Sequence, residues 1–271
     1  MRETINYPPQ THGVPVFADV TSANTVGYAN QTGIVKDKFY IFGSGFDSIG
    51  GGKKINDVIG AVTGVDYDKK KEFTTTASQI QVPSAGGYTT YYFLNDAYDE
   101  AADEEKPGWA NGSGDYVDIN LTPGVAFWFK NKIDEDGSVL AQQGQVPEDT
   151  GAGIRVECPE SFQLRNNPFP MSVKLNGPNV DSSEVIGVDY DKKKEFTTTA
   201  SQIQVPSAGG YTTYYFLNDA YDEVTDKEVP GWANGSGDLV DIEIPAGQGF
   251  WTKGTSGAFA LTFKLNATTA E

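Results

Sequence analysis

A stretch of 37 residues occurs twice in this chain without a single difference. It runs from Gly64 to Glu100 as GVDYDKKKEFTTTASQIQVPSAGGYTTYYFLNDAYDE and returns from Gly187 to Glu223. Since identical segments carry the same local propensities and the same hydrophobic pattern, the two copies are expected to fold alike. The chain has 271 residues, which is enough for two domains of average size, each with its own core.

The repeat extends beyond the identical block at a constant offset of 123 residues. PGWANGSGD recurs at 107–115 and 230–238, and the pair Phe-Trp recurs at 127–128 and 250–251. A segment rich in Gly, Pro and Gln separates the two copies, a composition typical of connectors. The predicted organisation is an extended N-terminal tail at 1–25, a β domain at 26–140, a linker at 141–150 and a second β domain at 151–271.

Within each unit the apolar residues alternate with a period of two, which is the pattern of half-buried strands. In SQIQVP, Ile80 and Val82 share one face, PSAGG turns the chain, and YTTYYFLN follows, so this segment predicts a β-hairpin. KFYIF, SFQLR, VDINL, VAFWFK and GVDYD are further strand candidates, and KKINDVIG is a candidate for a short helix. The predicted fold class is all-β, with two tandem antiparallel β-sandwich-like domains.

The tail and the last strand of each unit differ from this regular pattern. The tail segment VPVFADV alternates, and its prolines favour an extended chain. Its candidate strand-forming side chains are Val14, Val16, Ala18 and Val20. GAFALTFKL predicts a closing strand in the second unit, whereas its counterpart GSVLAQQGQ is polar and predicts a poor strand. We therefore expect the first unit to be short of a strand and able to accept one from elsewhere.

Composition excludes several classes of function. The net charge of −17 argues against a nucleic-acid partner, because phosphate binding depends on Lys and Arg. His12 and Cys158 are the only residues of their kinds, which excludes a Ser–His–Asp or Cys–His catalytic set within a domain and a zinc site of the His/Cys type. We predict no catalytic residue, no enzyme activity and no membrane span. We expect Cys158 to be a small buried hydrophobic residue.

The acidic loops raise the question of a bound cation. Calcium prefers several oxygen ligands from loops, and the repeated segment NDAYDE supplies carboxylates at matching positions in both units. The candidate ligands are Asp96, Asp99, Asp219 and Asp222. The alternative is that these acids are solvated and hold no ion, and no other cofactor is predicted.

Aromatic residues offer a second candidate site. Trp109 and Trp232 lie in the repeated PGWANGSGD segment, where an exposed ring would stack on the apolar face of a sugar. The alternative is that both rings pack in the core, which is the commoner role of large aromatic residues.

The motifs of the second unit resemble a group of secreted bacterial repeat proteins. SFQLRNNPFP, YTTYYFLNDAYDE, PGW and IPAGQGFW match halves of the type GFNLxxNPFP…YYxxDAxD…GW…IPAGQGFW. The similarity covers both units, and the first departs from it at FGSGFDSIGG and LTPGVAFWFK. The resemblance implies export and an extracellular or cell-surface location, and it provides no catalytic residue.

These observations favour a secreted structural protein that polymerises into a filament or surface layer. The tail of one subunit would add a strand to the next, head to tail, so that the partner is a second copy of the chain. The alternative is an extracellular carbohydrate-binding module with two duplicated sites. For the tail itself, the alternative is pairing within its own domain, because sequential strands usually pair.

Overall fold

The structure is a computed structural model that describes residues 26–60, 62–132, 138–149, 151–208, 210–255 and 257–265. Strands form almost all of the regular structure in these ranges, and the three α-helices have four residues each. The predicted all-β class is therefore confirmed. The predicted tail at 1–25 lies outside the described residues.

Unit 1 contains a five-stranded sheet and a two-stranded sheet, both antiparallel. Its strands are β1 (Val26–Ile34), β2 (Phe39–Phe42), β3 (Gln79–Ser84), β4 (Gly87–Asp99), β5 (Glu104–Ala110), β6 (Phe127–Lys130) and β7 (Ser138–Gln145). Its helices are α1 (Ile55–Val58) and α2 (Phe73–Thr76). The larger sheet has the order β2-β6-β3-β4-β5, and β1 pairs with β7.

Unit 2 repeats the larger sheet with equivalent strands in the order β14-β13-β12-β16-β9. Its strands are β8 (Ile154–Cys158), β9 (Gln163–Asn166), β10 (Val173–Lys174), β11 (Val180–Asp181), β12 (Gln202–Ser207), β13 (Gly210–Asp222), β14 (Lys227–Ala233), β15 (Glu243–Ile244), β16 (Gly249–Lys253) and β17 (Phe259–Phe263). Its helix is α3 (Phe196–Thr199). A three-stranded sheet, β11-β17-β8, and the pair β10-β15 complete the unit.

The identical block forms the same hairpin in both units. In unit 1, β3 pairs with β4 from Gln79 opposite Tyr92 to Ser84 opposite Gly87, and β12 pairs with β13 in the equivalent register. Ile80 and its equivalent Ile203 are fully buried, so the alternation places one face of the hairpin in the core. The predicted hairpin is confirmed.

Two of the predicted strands are not formed. In VDINL the backbone makes only scattered bonds to different elements: the Val117 amide donates to the Trp109 carbonyl of β5 at 2.9 Å, and the Ile55 amide of α1 donates to the Ile119 carbonyl at 2.9 Å. In GVDYD a single parallel bridge joins Val65 to Leu94. Alternation in so short a segment does not distinguish a strand from a loop whose side chains alternate in burial.

The polar segment SVLAQQGQ forms a full strand, β7, so the prediction of a poor strand was wrong. β7 pairs with β1 at seven positions, and it buries Leu140 and Gln142 against unit 1. Glutamine at a buried position concealed the alternation, because only Leu140 marked the inward face in the sequence. The strand ends at Gln145, and the predicted linker at 141–150 therefore begins inside it.

Unit 1 nevertheless has one strand fewer than unit 2 in its smaller sheet. In unit 2, β11 pairs with β17, with Val180 opposite Phe263. The equivalent residues of unit 1, 57 and 58, belong to helix α1, after which a single bridge joins Ile59 to Gln142 of β7. The β1–β7 sheet thus has two strands where unit 2 has three.

The two units meet around an approximate two-fold axis. The Gly43 amide donates to the Gly247 carbonyl at 2.9 Å, and the Asn166 amide donates to the Gly124 carbonyl at 2.9 Å. Asn166 is the equivalent of Gly43 and Gly247 that of Gly124, so these two hydrogen bonds exchange places when the units are swapped. Such reciprocity is the mark of an isologous contact between like surfaces.

Side chains at this contact follow the same symmetry. Ile41 and its equivalent Leu164 belong to one buried cluster, and the equivalent rings of Trp128 and Trp251 meet edge to face with centroids 6.0 Å apart. Gly249 lies where the units come closest, since a Cβ placed on it would fall 2.3 Å from a methyl group of Ile41. Glycine is thus required at this position by the packing of one unit on the other.

Candidate functional site: an open strand edge and a cleft between the units

Neither predicted tryptophan is available to a ligand. Trp109 and Trp232 are both 0% exposed, and each packs edge to face on the core phenylalanine of the adjacent strand, Phe93 or Phe216. The prediction of ligand contact at these residues was wrong, and the alternative of core packing is correct. Their surroundings differ in one respect: the Nε1 of Trp232 donates to Ser182 at 3.0 Å, whereas that of Trp109 has no hydrogen-bond partner among the described residues.

The four predicted metal ligands form internal hydrogen bonds and ion pairs. Asp96 accepts from the Tyr67 amide at 2.6 Å, and Asp219 accepts from the Tyr190 amide at 2.7 Å. Asp99 lies 2.5 Å from the Lys106 ammonium, and a hydrogen bond from that lysine holds its pKa below the usual range. The bonds of Asp96 and Asp219 hold the GVDYD segments against β4 and β13, and the Asp99–Lys106 pair joins the end of β4 to β5.

The equivalent acid in unit 2, Asp222, accepts from the Thr225 hydroxyl at 2.7 Å, and this bond lowers its pKa. In the part of the chain that the structure describes, no group of three His, Cys, Asp or Glu side chains is arranged to hold a metal ion.

Cys158 occupies the buried position predicted for it. It is 1% exposed at the end of β8, and burial raises the pKa of its thiol to about 11. At neutral pH the side chain is therefore a protonated thiol. Because the thiolate is the reactive form, Cys158 is an unreactive core residue.

The predicted assembly residues Val14, Val16, Ala18 and Val20 lie outside the described residues, but the strand that follows them is in view. A strand at the edge of a sheet presents unpaired amides and carbonyls that can pair with another chain, so the sheet edges are the candidate contact sites.

Most edges carry features that oppose pairing. β5 (EEKPGWA) and β14 (KEVPGWA) each combine charged residues with a proline. β8 carries Arg155 and Glu157, and the Arg155 guanidinium donates two hydrogen bonds to Glu184, the shorter at 2.6 Å. β2 has only four residues and is bridged at Phe42 to Gln248 of the other unit, and the Asn166 amide of β9 donates to the Gly124 carbonyl of unit 1. Charge, proline and coverage are the usual means by which native edges avoid association.

The outer edge of β1 carries neither charge nor proline, and contacts reach it only towards its far end, where the Tyr40 hydroxyl donates to the Gly33 carbonyl and the Gln31 side chain donates to the Ala246 carbonyl of unit 2. Its nine residues, VGYANQTGI, include neither a charge nor a proline, and within the described ranges its strand partner is β7 alone. Val26 and Tyr28 point to solvent from the same face, with 60% and 79% of their surface exposed. The sequence signal for this edge is the uncharged segment VGYANQTGI, but the tail segment VPVFADV in front of it has the more apolar alternation and is the stronger strand signal.

A groove lies on the solvent-facing side of the β1–β7 sheet, between the first residues of β1, the end of β7 and helix α1. It has a volume of about 620 Å³ and is lined by Val26, Gly27, Tyr28, Ile49, Asn56, Asp57, Gln143 and Gly144. Ile49 is 75% exposed, so three large apolar side chains face solvent at one place. The groove begins at the first described residue, directly after the tail.

A buried ion pair anchors the wall of this groove. The Lys53 ammonium is 3% exposed, lies 3.0 Å from the Asp47 carboxylate and donates to the Phe46 carbonyl at 2.6 Å. Burial lowers the pKa of Lys53, and Asp47 partly opposes that effect. Asp47 also exchanges two backbone hydrogen bonds of 2.8 Å with Gln145 of β7, which holds the loop before Ile49 against the sheet.

A second cavity lies between the units, beside β1 and β2. It has a volume of about 790 Å³, and none of its lining side chains is charged. The lining comprises Asn30, Gln31, Thr32, Phe39, Tyr40, Ile41, Phe42, Trp128, Pro206, Ser207, Gly210, Tyr211, Pro245, Ala246 and Gln248. Sequence reasoning did not find it, because its two walls belong to different units.

In three comparisons with known proteins, no family model, curated protein or solved structure matches the chain. The resemblance to secreted bacterial repeat proteins therefore stays a prediction. No helix in the described ranges is long and apolar enough to cross a membrane.

Proposed function

We propose that this protein is the subunit of a secreted extracellular filament or surface layer. In this assembly the N-terminal tail of one subunit pairs with the β1 edge of unit 1 in the next. The observation that carries the proposal is the contrast between β1 and the other edges: β1 is long, uncharged and free of proline, whereas the others are charged, covered or very short.

The chemistry of the tail fits the edge and the groove beside it. Its alternating side chains, Val14, Val16, Ala18 and Val20, are small and apolar, and the groove presents Val26, Tyr28 and Ile49. Main-chain hydrogen bonds along β1 would supply affinity, and the groove would select the side chains of the added strand. Each subunit contains one tail and one such edge, so the contact is heterologous and propagates.

The proposal predicts that either half of the contact can be removed separately. Deleting residues 1–22 removes the donor strand, and Tyr28→Lys places a charge on the acceptor edge at a side chain that is 79% exposed. Each variant is expected to remain folded and monomeric by sedimentation velocity, whereas the wild type is expected to form filaments in negative-stain images. Val224→Lys is the control, because it introduces the same charge at a side chain that is 93% exposed in a loop of unit 2.

Mixing the two variants distinguishes pairing between subunits from pairing within one chain. The Tyr28→Lys chain keeps its tail and the truncated chain keeps its edge, so an equal mixture should form a one-to-one complex that grows no further. Filaments from the truncated chain would contradict the proposal. So would the lack of any complex in the mixture, which is the outcome expected if the tail pairs within its own domain.

A further inference from the structure

The cavity between the units combines aromatic rings with neutral hydrogen-bonding groups. Phe39 and Tyr211 are each 44% exposed, and Trp128 is half-buried between them and the core. Asn30, Thr32 and Ser207 contribute exposed amide and hydroxyl groups. Its volume of about 790 Å³ falls within the range of about 300–1,000 Å³ for small-molecule sites.

The rings of Trp128 and Phe39 are fixed by contacts on their other sides. Trp128 meets Phe39 edge to face at 6.0 Å and Trp251 at 6.0 Å, and the Lys130 ammonium lies 5.1 Å from the centre of the Phe39 ring. Tyr211 packs on no other aromatic ring within the described residues, so its ring is open to a ligand. Rigid rings stack on a ligand at low cost in conformational entropy.

We propose that this cavity binds a neutral oligosaccharide. Sugar rings present an apolar face of C–H groups, which stacks on aromatic rings, and a rim of hydroxyls, which amide and hydroxyl side chains recognise. An anionic polymer would meet no cation in the lining, and the chain as a whole carries a net charge of −17. A wholly apolar ligand would leave Asn30, Thr32 and Ser207 without partners.

The duplicated sequence provides an exact control for this site. Tyr88 and Tyr211 occupy the same position in the identical block, on the same hairpin, and each is 44% exposed. Tyr211 lines the cavity, and Tyr88 does not. Substitution of either residue by alanine thus makes the same local change, and only one of the two changes the site.

The test uses the full chain and a panel of neutral oligosaccharides, among them glucose-, mannose- and N-acetylglucosamine-based oligomers, measured by calorimetry and by tryptophan fluorescence. We expect binding by the wild type, a loss of about tenfold in affinity (about 1.4 kcal/mol) for Tyr211→Ala, and no loss for Tyr88→Ala. The fluorescence change should arise from Trp128 and its neighbour Trp251, because Trp109 and Trp232 are fully buried.

Three results would overturn the proposal. The first is that the wild type binds no member of the panel. The second is that both alanine variants lose affinity equally, which would indicate contact by tyrosine-rich hairpins in general. The third is tighter binding of heparin or of a synthetic peptide of residues 1–22, which would assign the cavity to an anionic polymer or to the tail. Because filament formation is scored separately, failure here leaves the assembly proposal intact.

Discussion

The contribution of the Lys53–Asp47 ion pair to the stability of unit 1 can be tested by substituting each partner separately. We consider two substitutions, Asp47→Asn and Lys53→Met. The first removes the partner of a buried cation, and the second removes the cation while keeping most of its apolar stem. At 3.0 Å the attraction is worth about 5 kcal/mol for an effective dielectric constant of about 20, and much of it offsets the cost of burying the ammonium.

The two substitutions should therefore differ in cost. Loss of one partner from a fully buried pair costs about 3–5 kcal/mol. The Asp47 side chain is 31% exposed, so we expect about 2 kcal/mol for Asp47→Asn at pH 7. Lys53→Met leaves a carboxylate that water reaches, so it should cost about 1 kcal/mol or less. The measurement is urea unfolding followed by tryptophan fluorescence.

The pH dependence of the free energy of unfolding provides a second test of the same ion pair. Burial depresses the pKa of Lys53 below its ordinary value, and removal of Asp47 depresses it further. Between the depressed pKa and the ordinary one, the unfolded chain binds more protons than the folded chain, so the free energy of unfolding rises with pH. Asp47→Asn should thus recover stability relative to Lys53→Met as the pH increases towards 10. A greater cost for Lys53→Met at pH 7, or no recovery at high pH, would refute the reasoning.

Two further predictions each compare a matched pair of substitutions, and thermal unfolding measures both. Trp232→Phe should cost about 1 kcal/mol more than Trp109→Phe, because only Trp232 loses a hydrogen bond, the one to Ser182, and equal losses would contradict this assignment. Gly45→Ala should cost about 1–3 kcal/mol, because its Cβ would fall 2.6 Å from a backbone nitrogen of the other unit. Gly112→Ala, with nothing within 4 Å, should be neutral or slightly stabilising, and an equal effect of the two would refute the close approach.

The repeat made much of the fold predictable from the sequence. The hairpin of the identical block has a clear alternation around Ile80 and a turn signal, and both act over a few residues. The strand that contains Trp128 was predictable for the same reason. β7 was missed because a buried glutamine, Gln142, takes a place that an apolar residue usually marks.

The candidate sites were harder to predict, because tertiary contacts define them. The burial of Trp109 depends on α1 and on neighbouring strands that the sequence does not place. The cavity needs Trp128 from unit 1 and Tyr211 from unit 2, and no spacing along the chain brings those two together. The edge of β1 was visible as an uncharged strand, but its isolation appears only when every other edge has been located.

The approximate two-fold contact between the units has a consequence for the polarity of the proposed polymer. Two separate, identical units joined in this way would expose two equivalent edges, and growth from such a pair would have no polarity. In this chain the two equivalent strands differ within the described residues: β1 has neither charge nor proline, whereas β8 has Arg155 and Glu157. A polymer built from the proposed contact would therefore have a distinct front and back, and elongation could be controlled at one end alone.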